Sequence, residues 1–164
     1  MKNNEPICLE VALNGAAGRA FQPNIPLAVN DIVAEGIACA QAGASVIHLH
    51  VYDDDGQPVE DADLYRRVIE GIREQVDAIV YPTLALHGDM RARFEPIEQL
   101  IDWGLLEWMV VDPGSVNILH RSQVLSDSDG ILYANPVSHI RYGLELCAQY
   151  SIRPAYAVYE PGFV

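Results

Sequence analysis

A chain of 164 residues with 50% hydrophobic residues holds enough apolar material for one domain with a real core. Its formal net charge is −13, and the ten Lys and Arg residues are scattered, so no basic stripe tracks a phosphate backbone and nucleic acid is a poor partner. The apolar runs are short and interrupted, and no apolar signal core follows the polar residues 1–6, so neither a bilayer span nor export is expected and the compartment expected is cytoplasmic.

The elements alternate along the chain. Residues 7–13 are apolar and β-branched and predict a strand; Val29, Val33, Ile37 and Ala40 then share one helix face, with Gly43 as its stop. Residues 45–51 predict a second strand, and Leu64, Val68, Ile72 and Val76 a second helix. A third strand at 78–84 leads to a helix carrying Ile97, Leu100 and Ile101, stopped by Gly104. Residues 107–111 predict the fourth strand. Ile140, Leu144 and Cys147, following Pro136 and Ser138, mark the fourth helix, and residues 154–159 the fifth strand. Cys8, Cys39 and Cys147 are odd in number and far apart, which reads as buried thiols in a reducing compartment.

Strand–helix alternation with short links predicts parallel βαβ units in a single domain spanning 1–164. Two α/β architectures accommodate it. A doubly wound open sheet closes comfortably at this length, whereas a complete (β/α)₈ TIM barrel takes about 250 residues, so this chain would supply about the first five strands.

The second strand argues for the barrel. In Ser45-Val46-Ile47-His48-Leu49-His50-Val51, side chains alternate between faces, so His48 and His50 point the same way, about 6–7 Å apart along the backbone. Their ring nitrogens can converge on one ion, and imidazole suits borderline-soft zinc. The loop Asp53-Asp54-Asp55-Gly56 follows at once, which places the pair at the carboxyl end of the strand, where α/β enzymes build their sites. Two satisfied core histidines are the alternative, and the three acids read as a solvated turn. Further candidates follow the other strands: Asn14 after the first, Thr83 and His87 after the third, Ser115 and Asn117 after the fourth. Glu10 shares a face with Ala12 and Asn14, as a buried base or a structural carboxylate.

These segments together resemble the β-keto acid cleavage enzyme family. The resemblance rests on Ala12-Leu13-Asn14-Gly15, on Asn24-Ile25-Pro26, on the run from Ala42 through His48 and His50 to Gly56, on Pro82-Thr83 and on Gly114-Ser115-Val116-Asn117. It implies a (β/α)₈ barrel binding a divalent metal, usually zinc, through both histidines and a late-strand glutamate. It implies condensation of a β-keto acid with acetyl-CoA as co-substrate, releasing acetoacetate and a new acyl-CoA. Thr83 and Ser115 then fall at catalytic positions, with Asn14 and Asn117 lining the substrate pocket. The sequence departs from the pattern at Ala17, where a first-loop glutamate is found in part of the family, at Tyr52 in place of an arginine, and at Ala157 in place of a glutamate. The late strands have no counterpart here, so the inward face is expected to meet water and to favour assembly into a homo-oligomer. Two other readings stay open: a non-catalytic or truncated metal-binding subunit of the same fold, and a metal hydrolase of the amidohydrolase kind. The latter places its His-x-His on the first strand.

Overall fold

The computed structural model describes residues 7–16, 18–20, 22–119 and 121–163, so Ala17, His120 and residues 1–6 lie outside the described residues. The chain opens with β1 (Glu10–Ala12) and α1 (Val29–Gln41). Next come β2 (Val46–Leu49), a hairpin of β3 (Val51–Tyr52) and β4 (Pro58–Val59), and α2 (Ala62–Arg73). The third unit is β5 (Ile79–Pro82) with α3 (Met90–Asp102). The fourth is β6 (Trp108–Val110), a second hairpin of β7 (Val116–Ile118) and β8 (Ile131–Tyr133), and α4 (Val137–Tyr150), and β9 (Arg153–Ala155) follows.

The main strands pair in parallel in the order of the sequence. β1 pairs β2 with Ala12 opposite His48, β2 pairs β5 with His48 opposite Tyr81, and β6 pairs β9 with Val110 opposite Ala155. The Tyr81 and Trp108 rings lie 6.3 Å apart, which sets β6 beside β5. A doubly wound sheet reverses its strand order at a switch point; among the described strands there is no such reversal.

Alternation divides each strand between two faces. Ile47, Leu49, Val80 and Met109 point toward the helices and are fully buried against Ile32 of α1, Val68, Ile69 and Ile72 of α2, and Phe94 and Leu100 of α3. α2 and α3 start on aspartates: Asp61 accepts the Leu64 N–H and Asp89 the Ala92 N–H, both at 2.9 Å. Gly43 and Gly104 follow the ends of α1 and α3 with positive φ, as expected, whereas α4 ends on Ser151 in the left-handed region.

Several expectations need correction. Cys8 is exposed and Cys39 only half-buried, because pairing in the first strand starts at Glu10 and α1 turns Cys39 toward its flank; Cys147 alone is buried. The second strand breaks at His50, and Val51 and Tyr52 leave it to pair antiparallel with β4. Val76 lies past the end of α2, and Leu144 is exposed on α4. On the face away from the helices, Glu10 and Arg153 are exposed, but Val46 and Tyr81 are buried by the neighbouring rings and strands. No described helix is long and apolar enough to cross a membrane.

Candidate active site

His48 and His50 project from the carboxyl end of β2 on the face away from the helices, their ring centroids 5.4 Å apart and their planes at 78°. Burial pushes both imidazoles down to about 4, against a weaker opposing effect at His48 from its hydrogen bond with the Tyr81 backbone; at His50 the neighbouring His48 adds to the depression. Both rings are therefore neutral at pH 7, the state in which imidazole ligates a metal. Nδ1 of His48 is buried and has no hydrogen-bond partner, which is costly for a polar atom. Two neutral imidazoles 5.4 Å apart, one with an orphaned ring nitrogen, fit part of a metal's ligand set. Among the described residues no third His, Cys, Asp or Glu joins them in a group able to hold a metal, so the exposed His87 does not complete the set.

A side chain fixes the position of the second histidine. Asn14 accepts the His50 N–H on Oδ1 at 2.7 Å, and its Nδ2 donates to the carbonyls of His50 and Pro26, both at 3.1 Å. The carboxamide stands where the next peptide of β1 would, so His50 keeps its ladder bonds while the main chain of β1 turns away. Tyr52, at the position where the family pattern has an arginine, donates from its hydroxyl to the Gly15 carbonyl at 2.8 Å and ties the first loop to the hairpin. Asp53 accepts the amides of Asp55 and Gln57 at 3.0 and 2.8 Å, which identifies the acidic run as the turn of that hairpin.

Thr83 follows β5 beside His50, with its amide bonded to the Leu49 carbonyl. It is buried, and its hydroxyl has only a long 3.5 Å contact to the Leu84 carbonyl, so it remains able to donate. Ser115 Oγ accepts the Asn135 N–H at 2.8 Å, which leaves its own proton for a ligand. Asn117 is exposed on β7 opposite Leu132, on the hairpin face away from Tyr133. Glu10 is exposed and accepts a hydrogen bond from the Tyr81 hydroxyl.

Three more groups stand at this end of the sheet: Asp112 and Gly114, in the segment after the fourth strand that the sequence already marks, and Arg93, which its pattern does not single out. Asp112, just after β6, is buried, accepting the Tyr133 hydroxyl at 2.6 Å and the Ala157 amide at 3.2 Å. Burial raises its pKa, opposed by those two bonds and by Arg93. Gly114 lies so close to Phe163 that a Cβ there would sit 2.4 Å from the ring, so a larger residue would have to displace that ring. Arg93 of α3 is 2% exposed. Its signal was present: it falls on the apolar stripe with Ile97 and Leu100, where a cation stands out.

The chain was compared with known proteins. A model of the beta-keto acid cleavage enzyme family matches residues 6–164. A 3-keto-5-aminohexanoate cleavage enzyme of Fusobacterium nucleatum subsp. nucleatum is 40% identical over 81 residues, 48% of this chain and 30% of that protein. A 3-oxoadipate:acetyl-CoA acetyltransferase of Cupriavidus necator is 36% identical over 77 residues, 46% of this chain and 27% of its own length. A 3,5-dioxohexanoate:acetyl-CoA acetone transferase of Paraburkholderia graminis is 25% identical over 158 residues, 86% of this chain and 50% of that protein. The chain thus spans about half or less of the length of these curated relatives. With a match over nearly its whole length, the chain belongs to the β-keto acid cleavage enzyme family.

Proposed function

We propose that residues 1–164 form the N-terminal part of a (β/α)₈ barrel that binds zinc through His48 and His50 and cleaves a β-keto acid with acetyl-CoA. The observation that carries this reading is the pair of neutral imidazoles, 5.4 Å apart at the carboxyl end of β2, with an unpartnered buried Nδ1 on His48. Parallel strands following one another in chain order favour a barrel over an open sheet. The names of the relatives, two of which specify acetyl-CoA, support release of acetoacetate and an acyl-CoA. Bound there, a divalent metal would polarise the oxygens of the keto acid.

The chain's own groups do the rest. Neutral His48 and His50 offer lone pairs without competing protons. Thr83 and Ser115 turn hydroxyl protons toward oxygens that gain charge during carbon–carbon cleavage. Asn14 holds His50 in register. A homo-oligomer, working in the cytoplasm, completes the proposal. A second reading, a non-catalytic metal-binding subunit, is favoured by the absence of a third donor group among the described residues.

Elemental analysis and turnover of 3-oxoadipate or 3-keto-5-aminohexanoate with acetyl-CoA test both readings. The chain is expected to hold zinc, and His48→Ala or His50→Ala to lose it. Stoichiometric zinc in His48→Ala would sink the metal assignment. Zinc without acetoacetate release would leave the second reading.

A further inference from the structure

The guanidinium of Arg93 is buried and, among the described residues, no carboxylate lies within ion-pair distance of it; Asp112 and Tyr133 act on it from farther off, the Tyr133 ring centroid 6.0 Å from Cζ. It makes four bonds, all to neutral acceptors: Nε to the Ala85 carbonyl at 2.7 Å, Nη1 to the Ala134 carbonyl and to Nδ1 of His139, both at 3.1 Å, and Nη2 to Oδ1 of Asn135 at 2.7 Å. His139 accepts there only as a neutral ring protonated on Nε2, in keeping with a pKa lowered by burial and by Arg93. Burying a charge is expensive, and this one joins three segments: the loop after β5, the end of β8 and the first turn of α4.

Asn135 passes the restraint on. With Oδ1 held by Arg93, its Nδ2 donates to the Gly114 carbonyl at 2.9 Å, and its N–H donates to Ser115 Oγ at 2.8 Å. Only one orientation of the carboxamide serves Arg93 and Gly114 together; a flipped amide would set oxygen against the Gly114 carbonyl and NH₂ against the guanidinium.

We infer that Arg93 is a positioning residue of this site: through Asn135 it fixes Gly114 and Ser115, and so aims the Ser115 hydroxyl, without touching substrate itself. The inference rests on the proposed reading of Ser115 as a donor to the reacting keto acid. A planar fork is required, because a lysine's point charge cannot reach the Ala85 carbonyl on one side and Asn135 on the other.

Three variants test it, by amide hydrogen exchange and by steady-state kinetics with acetyl-CoA and 3-oxoadipate or 3-keto-5-aminohexanoate. Arg93→Lys keeps the charge and loses the fork. Asn135→Asp keeps the acceptor for Arg93 but turns a carboxylate oxygen toward the Gly114 carbonyl in place of a donor, and Ser115→Ala, a small change at an exposed residue, reports even if the other two fail to fold. Ser115→Ala removes the acceptor of the Asn135 amide. In all three, exchange at the Asn135 amide is expected to rise about five- to tenfold, the loss of one hydrogen bond. In Asn135→Asp and Arg93→Lys, kcat/KM should fall about 10²-fold, mostly in kcat, with zinc content unchanged.

A purely structural role would lower the melting temperature and leave the kinetics of the folded fraction intact, and that result overturns the inference. So does wild-type kinetics in Asn135→Asp. If the wild-type chain turns over neither keto acid, the functional reading falls, and exchange alone decides on Arg93. Unchanged protection at Asn135 in Arg93→Lys and Asn135→Asp then overturns the clamp, and faster exchange supports it.

Discussion

Replacing Asn14 by alanine separates two roles the residue could play. As a substrate contact, Asn14 would affect KM and little else. In the structure, its carboxamide is bonded to the N–H and the carbonyl of His50 and to the carbonyl of Pro26. Asn14→Ala therefore leaves the His50 N–H, in a buried residue, without an acceptor, at a cost of about 1–3 kcal/mol, and removes a donor shared by two carbonyls, each bond worth about 1 kcal/mol. The expected loss is about 3–5 kcal/mol in urea denaturation of the metal-free chain. Zinc affinity should fall about 10–100-fold in the same variant, because a supporting contact of a ligating histidine is gone. Asn14→Asp is the sharper comparison: it keeps an acceptor for His50 but sets a carboxylate oxygen against two carbonyls, and it should destabilise at least as much. Denaturation of Asn14→Ala within about 0.5 kcal/mol of wild type, the usual range for an unengaged surface position, would refute the bracket and return Asn14 to the substrate.

Two further perturbations follow from the same packing. Glu60 is largely buried, and desolvation pushes its carboxyl up to about 7 against the Tyr65 hydroxyl that donates to it at 3.0 Å. A carboxyl raised in the folded state stabilises fully below its unfolded pKa near 4.5 and loses that contribution, about 3 kcal/mol, as pH rises through about 7. Glu60→Gln should flatten this part of the stability profile and be about 2–3 kcal/mol more stable at pH 8, and an unchanged pH profile in thermal melts would count against it. At the crossing of α1 and α2, a Cβ on Gly36 would meet Cδ1 of the fully buried Ile72 at 2.5 Å. Gly36→Ala gains about 1 kcal/mol of helix propensity but overpacks by about 1–3 kcal/mol, so a net loss of up to about 2 kcal/mol is expected; a more stable variant would show that Ile72 yields.

The parts of this molecule that were legible in its sequence are those written in local periodicity. Val29, Val33 and Ile37 repeat at helical spacing, and His48 and His50 at strand spacing, because the backbone geometry that produces those periods acts within a few residues. The four helices and five parallel strands therefore appear where the pattern puts them, within a few residues. The two hairpins were not seen, since their antiparallel pairing joins residues across a turn, a contact that periodicity within one segment does not report. The break of the second strand at His50 has a nonlocal cause, a carboxamide 36 residues away that takes over both ladder bonds.

The same reason explains what the site reading missed. A His-x-His pair can be recognised because both residues fall within one extended run, where alternation alone puts them on one face. Arg93 lies on α3, Asp112 after β6, and Tyr133 and Asn135 together at the end of the second hairpin, and nothing in the spacing of these three segments links them; their relation exists only once α3, β6 and the second hairpin have packed. The one sign available was thermodynamic rather than periodic: a guanidinium on a helix stripe otherwise filled by apolar residues must find acceptors or unfold the helix from the core. In a barrel whose strands supply the ligands, such misplaced charges are therefore the place to look for the residues that hold the loops around them.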